Sequence, residues 1–158
     1  MTLKTAVVIG AGQGMGQTTA LLLARHGLTV YLVGRTEAKL QTTADAIRAA
    51  GGSCHIFPAD LTEETALDTL TTQLTSAQVT VDVLVHTVGE AMIRPIAETT
   101  FADFNRTIAI NLGTAILAVT KLLGFVHASA NPSLILISSK VALRGYGGVA
   151  AYSAAKAG

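Results

Sequence analysis

Gly10-Ala11-Gly12-Gln13-Gly14-Met15-Gly16 is the stretch that decides the fold, and it directly follows the apolar run Thr5-Ala6-Val7-Val8-Ile9. A continuous apolar run of this length is typical of a strand buried on both faces of a parallel sheet. Glycines let the backbone approach a ligand closely because they carry no Cβ, and the N–H groups that begin a helix attract anions. A strand, a glycine-rich turn and a helix in this order favour a dinucleotide-binding turn over an ordinary connection.

The glycine spacing narrows the kind of turn. The pattern is G-x-x-x-G-x-G on Gly10, Gly14 and Gly16, because Met15 occupies the last glycine position of the common G-x-G-x-x-G pattern. No Gly-Lys-Ser/Thr follows, which excludes a P-loop. The turn residues that we expect to contact a dinucleotide cofactor are Gly10, Gly12, Gln13, Gly14, Met15 and Gly16.

The rest of the chain alternates short apolar runs with stretches of helical periodicity. Strands are predicted over 5–9, 29–33, 54–57, 81–85 and 134–137. Helices are predicted over 14–26, from Thr36, from Thr62, over 101–127 and from Tyr152. Five alternations of strand and helix predict a three-layer, doubly wound parallel sheet, that is, a Rossmann fold with five strands. Since no repeat or linker interrupts the pattern, 1–158 is predicted to be one NAD(P)-binding domain.

Composition excludes several classes of partner. Only 13% of the residues are charged and the net charge is +1, so nothing in the electrostatics favours nucleic acid or an anionic membrane. No run of about 18 uninterrupted apolar residues exists, so we expect no membrane span. The single cysteine, Cys54, rules out an internal disulfide and is interpreted as a buried side chain. With no secretory leader pattern, we expect a cytoplasmic protein.

Gly34-Arg35-Thr36 follows the second predicted strand, where the choice between NAD and NADP is made. An acid at this place would accept hydrogen bonds from the ribose 2′-hydroxyl of NAD. Arg35 offers instead a guanidinium that pairs with the 2′-phosphate of NADP. We therefore expect NADP rather than NAD. The alternative is an ordinary surface arginine at a helix start, and Gln13 adds no second cation to the turn.

A second constellation follows the fifth predicted strand, where Ser138-Ser139 precedes Tyr152 and Lys156. Residues four apart share a helical face, so the Lys156 ammonium can approach the Tyr152 hydroxyl. A neighbouring ammonium favours the phenolate, which suits a tyrosine for acid/base chemistry. A serine hydroxyl beside this pair can hydrogen-bond a substrate carbonyl or hydroxyl.

Together these motifs resemble the short-chain dehydrogenase/reductase family, in its compact single-domain branch, over essentially the whole chain. Gly10, Gly14 and Gly16 match the cofactor turn of that branch. The other matching positions are Asp60-Leu61 after the third strand, Asn111, Ser139, Tyr152 and Lys156. Ser139 stands 13 residues before Tyr152, the usual separation in the family, and is therefore preferred to Ser138.

The resemblance implies a role for each matched residue. Tyr152 would be the general acid/base, Lys156 would assist it and hold the nicotinamide ribose, and both would contact the cofactor. Ser139 would orient the reacting carbonyl. Asn111 would support a proton-relay water, and Asp60-Leu61 would contact the adenine. The alternatives are structural: a helix-kinking asparagine at 111, a strand-end hydroxyl at 139 and a helix-capping acid at 60.

One segment departs from the family pattern. His86-Thr87-Val88-Gly89 stands where the family usually has Asn-Asn-Ala-Gly, so only Gly89 is kept as an expected cofactor contact. His86 is interpreted as structural rather than as a catalytic base. The remaining histidines show no metal-ligand spacing, and no metal is predicted; they are His26, His55 and His127.

These observations predict an NADP-dependent oxidoreductase that interconverts a carbonyl and an alcohol on a small-molecule substrate. We further expect a homo-oligomer, a dimer or a tetramer. The chain stops at Gly158, two residues after Lys156, so a C-terminally incomplete domain is expected. The alternatives are a non-catalytic NAD(P)-binding regulatory domain, an inactive fragment, or an epimerase or dehydratase of the extended branch, which would prefer another glycine spacing.

Overall fold

The five predicted strands lie in one parallel sheet. A computed structural model describes residues 4–158, so the first three residues of the predicted domain lie outside the described residues. The strands are β1 (Thr5–Ile9), β2 (Thr29–Gly34), β3 (Cys54–Pro58), β4 (Val83–His86) and β5 (Ser133–Leu136). Their order is β3-β2-β1-β4-β5, and every neighbouring pair is parallel. This doubly wound order confirms the predicted Rossmann fold.

Helices cover both faces of the sheet. They are α1 (Gly14–Arg25), α2 (Glu37–Ala49), α3 (Asp68–Ser76), α4 (Phe101–Ile108), α5 (Thr114–His127) and α6 (Ala150–Ala157). In β1, Ala6 and Val8 face one apolar cluster with α1 and α2, while Val7 and Ile9 face another with α3 and α5. Side chains of a strand alternate between its faces, so a strand buried on both faces is apolar throughout. The result is the predicted three-layer architecture.

The reversal of the strand order between β1 and β4 creates the crevice that positions the site. From β1 the chain winds outward to β2 and β3, then crosses back to β4 on the other side of β1. Ile9 pairs in register with His86, so the segments that follow these two residues leave the sheet side by side. Ligands of open α/β sheets bind at such a switch point, beyond the carboxyl ends of the strands.

The long helical region predicted over 101–127 is continuous but not uniform. A π-helical turn, Ala109–Gly113, separates α4 from α5 and was not predicted. Within residues 4–158, the helix Phe101–His127 is long and apolar enough to cross a membrane. An 18-residue stretch of it has a mean hydropathy of 1.8, and 33% of that stretch is buried. Ala118, Leu122 and Val126 of this helix belong to the core, and core helices often have such a composition, so this is weak evidence for a membrane.

The helix predicted to begin at Thr62 is wrong at its start. The structure begins α3 at Asp68, because turns occupy the residues before it. The Asp60 carboxylate accepts hydrogen bonds from the Thr62 N–H at 3.0 Å and from the Thr62 hydroxyl at 2.8 Å. This Asx-type turn holds Thr62 in the turn that follows Asp60, before the helix begins. Bounds elsewhere shift by only a few residues: β4 begins at Val83 rather than at 81.

Candidate cofactor and active site

The glycine turn closes tightly onto the end of β1. Gly10 and Gly14 have φ angles of 89° and 56°, in the left-handed region that favours glycine. A Cβ on Gly16 would collide with the carbonyl oxygen of Gly10, so the first turn of α1 packs directly against the strand end. No other atom lies within 4 Å of a Cβ position on Gly14, which therefore faces open space.

A cavity of about 310 Å³ opens beyond this turn. Ten of the predicted cofactor-contacting residues line it: Gly10, Gly12, Gln13, Gly14, Met15, Gly16, Arg35, Asp60, Leu61 and Gly89. Within residues 4–158, no side chain caps the N-terminus of α1, and its first turn carries no acid. Free N–H groups at a helix start bind a pyrophosphate, so the lining fits a dinucleotide.

Asp60 lines this cavity just after the end of β3. The hydrogen bonds from Thr62 hold the pKa of Asp60 below its ordinary value, and the Arg35 charge lowers it further. Leu61 beside it is 5% exposed and joins the apolar core. This part of the cavity therefore combines an ionised carboxylate with an apolar wall.

Thr87 occupies the space that two glycines leave free. Its hydroxyl donates to the carbonyl oxygen of Ile9 at 2.8 Å, and its N–H donates to the same oxygen at 2.9 Å. A Cβ on Gly10 or on Gly16 would collide with the Thr87 hydroxyl oxygen. Thr87 thus fastens the end of β4 to the glycine turn.

His86 is buried between β4 and the long helix, with 2% of its surface exposed. Its Nε2 lies 3.0 Å from the Thr114 hydroxyl oxygen, and that hydroxyl donates to the carbonyl oxygen of Ile110 at 2.6 Å. Since the hydroxyl has a single proton, Nε2 must be the donor to it. Burial, followed by the charge of Lys156, lowers the pKa of His86 to about 4. The imidazole is therefore neutral at pH 7 and connects β4 to the π-helical turn.

Asn111 and Lys156 meet at Gly89. The Asn111 amide donates to the carbonyl oxygens of Glu90 and Thr107, both at 3.0 Å, and its oxygen accepts from the Glu90 N–H at 3.0 Å. A Cβ on Gly89 would lie 2.9 Å from Asn111 Oδ1 and 3.0 Å from Lys156 Nζ. Burial lowers the pKa of Lys156. The structure therefore brings these three residues together, and one of them, Gly89, lines the cavity.

Within residues 4–158, no hydrogen bond joins Ser139 and Tyr152 to each other or to Lys156. Ser139 accepts from the Val141 N–H at 3.4 Å. Ser138 points elsewhere, because its hydroxyl donates to the carbonyl oxygen of Lys156 at 2.8 Å. Tyr152 and Lys156 do not line the cavity that holds the glycine turn.

Lys39 is a cavity residue that the sequence analysis missed. Its Nζ donates to Gln13 Oε1 at 2.6 Å, so a second cation does reach the glycine turn, but it comes from α2. The signal was a lysine three residues after Thr36, at the helix position where Glu or Gln would complete a capping box. In the described part of the chain, no cluster of three or more His, Cys, Asp or Glu side chains could hold a metal.

Residues 4–158 match the protein family described as short chain dehydrogenase. The chain belongs to the short-chain dehydrogenase family. It is 36% identical over 156 residues to a fatty acyl-CoA reductase of Acinetobacter baylyi, covering 98% of this chain and 53% of that protein. It is 31% identical to a cyclopentanol dehydrogenase of Comamonas sp., covering 97% of this chain and 61% of that protein. The chain thus spans less than two thirds of the length of these curated relatives.

Solved structures agree with the family. A metagenomic short-chain oxidoreductase in complex with NADP superposes with a TM-score of 0.89 at 30% identity, covering 97% of this chain and 70% of that one. A dehydrogenase/reductase from Sinorhizobium meliloti superposes with a TM-score of 0.89 at 31% identity, covering 98% of this chain and 61% of that one. This short-chain dehydrogenase therefore has the NAD(P)-binding Rossmann fold of a family of carbonyl and alcohol oxidoreductases.

Proposed function

We propose that this chain forms the cofactor-binding and catalytic part of an NADP-dependent oxidoreductase that interconverts a carbonyl and an alcohol. The observation that carries the proposal is the meeting of Lys156 and Asn111 at Gly89. Gly89 also lines the cavity that begins at the glycine turn. Gly89 therefore lines the proposed cofactor site and is also approached by Lys156 of the proposed catalytic helix.

The cofactor site follows from the lining of this cavity. The N–H groups at the start of α1 would hold the pyrophosphate, and Asp60 and Leu61 would contact the adenine. Arg35 lines the cavity directly after β2, where an acid specific for NAD is absent from the sequence, and it would pair with the 2′-phosphate of NADP. When bound, the nicotinamide would give a hydride to the substrate carbon or take one from it.

Proton transfer would fall to α6. The Tyr152 hydroxyl would donate a proton to the carbonyl oxygen during reduction, and the Tyr152 phenolate would accept the proton of the alcohol during oxidation. The Ser139 hydroxyl would donate a hydrogen bond to the same oxygen and so orient it. The Lys156 ammonium would favour the phenolate form of Tyr152 and hold the nicotinamide ribose.

Asn111 has a narrower proposed role in this site. Its amide and its oxygen are both used by the Glu90 and Thr107 backbone, so the side chain holds the segment after β4 in place. Asn111 would support a proton relay by fixing this backbone. Cytoplasmic localisation and a homo-oligomeric state, dimer or tetramer, stay predictions from the sequence.

The test is turnover with NADPH and with NADH on a panel of carbonyl compounds. Fatty acyl thioesters, cyclic ketones and aliphatic aldehydes belong in the panel, since the relatives above are named for acyl-CoA and cyclopentanol. We expect NADPH-dependent reduction that Tyr152→Phe lowers by about 10²–10⁴-fold while NADPH binding is retained. Tyr146→Phe, in the exposed loop before α6, is the matched control and should keep activity.

Two results would overturn the proposal. Unchanged turnover in Tyr152→Phe would remove the general acid/base from α6. If the protein bound NADPH but turned over none of the compounds in the panel, the regulatory-domain alternative would be favoured.

A further inference from the structure

Lys39 crosses from α2 to the glycine turn. Its Nζ donates to Gln13 Oε1 at 2.6 Å, and both residues line the cavity together with Arg35. Lys39 Cβ lies only 3.0 Å from the position of a Cβ on Gly12, so the first turn of α2 rests against the glycine turn. This close packing directs the lysine side chain along the cavity edge.

The position of this lysine is unfavourable for α2 itself. Lys39 is the third residue of a helix that begins at Glu37 after Thr36. A helix N-terminus favours acids and disfavours cations, and Glu or Gln at this position would pair with Thr36 in a capping box. In the described chain no backbone N–H donates to the Thr36 hydroxyl as a cap. A lysine here therefore points to a use outside the helix.

The charges around the cavity are unbalanced in the same place. Its charged lining residues are Arg35, Lys39 and Asp60, two cations and one carboxylate. The Asp60 carboxylate is already held by Thr62. Among residues 4–158, the ion pairs involve neither Arg35 nor Lys39. Two cations that form no ion pair in the described residues thus face one cavity, on the side where β2 ends.

We propose that Lys39 reads the 2′-phosphate of NADP together with Arg35 and so sets the preference for NADP over NAD. This inference rests on the proposed NADP-dependent function. An ammonium has three N–H donors, so Lys39 can keep its bond to Gln13 and direct the other donors at a phosphate. Gln13 orients the lysine, and α2 provides the cation that the glycine turn lacks.

The test is calorimetric binding of NADPH and NADH, which differ only in the 2′-phosphate, to the full protein. Lys39→Met is expected to weaken NADPH binding about tenfold and to leave NADH binding within about twofold, because one charge-assisted hydrogen-bond partner is lost. Lys39→Arg should restore most of the NADPH affinity. Arg48→Met, in the last turn of the same helix, is the matched control and should change the affinity for neither NADPH nor NADH.

Lys39→Glu distinguishes a loss of NADPH contacts from a loss of stability. It places an acid where the helix favours one, so its melting temperature should rise while its NADPH affinity falls. If Lys39→Met weakened the binding of NADPH and NADH equally, so that the ratio of the two affinities stayed unchanged, the assignment of Lys39 would be overturned. A wild-type protein with no preference for NADPH would instead refute the proposed NADP dependence, so the two failures are distinguishable.

Discussion

The Nζ atom of Lys156 donates a hydrogen bond to the carbonyl oxygen of Ile137, 2.9 Å away. The Ser138 hydroxyl donates in the other direction, to the carbonyl oxygen of Lys156 at 2.8 Å. These two bonds fasten the last turn of α6 to the end of β5. Lys156 is therefore already held beside Gly89 by the protein's own backbone.

Alanine substitutions of the two adjacent serines should affect different properties, stability for Ser138 and catalysis for Ser139. Ser138→Ala removes the bond to the Lys156 carbonyl, and we expect a loss of about 0.5 kcal/mol in the free energy of unfolding, since that bond is exposed. Ser139→Ala should lower kcat/KM by about 10²-fold with little change in stability, because its hydroxyl is proposed to hold the substrate oxygen. Urea unfolding and steady-state kinetics on both variants check this. A larger kinetic loss in Ser138→Ala would contradict the choice of Ser139.

Gly89→Ala should displace Lys156. The new Cβ would lie 3.0 Å from Lys156 Nζ and 2.9 Å from Asn111 Oδ1, so one of these side chains must move. We expect about a tenfold or greater loss of kcat/KM, because small displacements of catalytic groups strongly lower the rate. Gly124→Ala is the control: nothing lies within 4 Å of its Cβ position, and it should be stabilising by about 0.5–1 kcal/mol. Full activity in Gly89→Ala would show that this contact is unimportant.

His86 should make the fold sensitive to mild acid. Burial and the Lys156 charge lower its pKa from 6.5 to about 4, so the unfolded chain binds the proton more tightly than the folded one. Stability from neutral His86 is complete above pH 6.5 and is lost as the pH falls towards 4. The expected loss is about 2 kcal/mol between pH 7 and pH 4.5.

The variant His86→Gln isolates this effect, since an amide donates to Thr114 without titrating. Urea unfolding at pH 7 and pH 4.5 should show a smaller loss in the variant than in the wild type. The pKa values of Asp60 and Asp103 are lowered from 3.8, so these groups titrate below this window. Identical pH dependence in both proteins would contradict the buried, neutral histidine.

Arg35→Asp should reverse the choice of cofactor. The change removes a cation from the cavity and introduces a carboxylate after β2, where it can accept hydrogen bonds from a ribose 2′-hydroxyl. We expect the ratio of kcat/KM for NADPH over NADH to fall by about 10²-fold, because repulsion of the phosphate adds to the lost attraction. Kinetics with both cofactors measures the ratio. An unchanged ratio would make Arg35 an ordinary surface arginine.

Much of the fold was predictable from local patterns. The apolar run Thr5–Ile9 is buried throughout, as a strand covered on both faces requires. The five strands and the glycine turn follow from such short-range signals. The start of α3 does not follow from them: Thr62 resembles a cap in sequence, but it donates two hydrogen bonds to Asp60 in a turn that precedes the helix.

The candidate site was less predictable where it depends on packing between distant segments. The motifs of the sequence identified Gly89, Asn111 and Lys156, but their meeting depends on how β4, the long helix and α6 pack together. Lys39 reaches the turn only because Gly12 lets α2 approach. The π-helical turn at Ala109–Gly113 has no local sequence signal that we can identify.

The most direct test of the central claim is to follow the hydride itself. NADPH deuterated at the reactive carbon of the nicotinamide ring is incubated with the protein and a reducible carbonyl compound, and the product is analysed by mass spectrometry. We expect the deuterium on the carbinol carbon of the alcohol product with the wild type, and hardly any such product with Tyr152→Phe. Equal transfer by Tyr152→Phe, or tight NADPH binding in which the deuterium never leaves the cofactor, would contradict a carbonyl–alcohol oxidoreductase whose proton comes from α6.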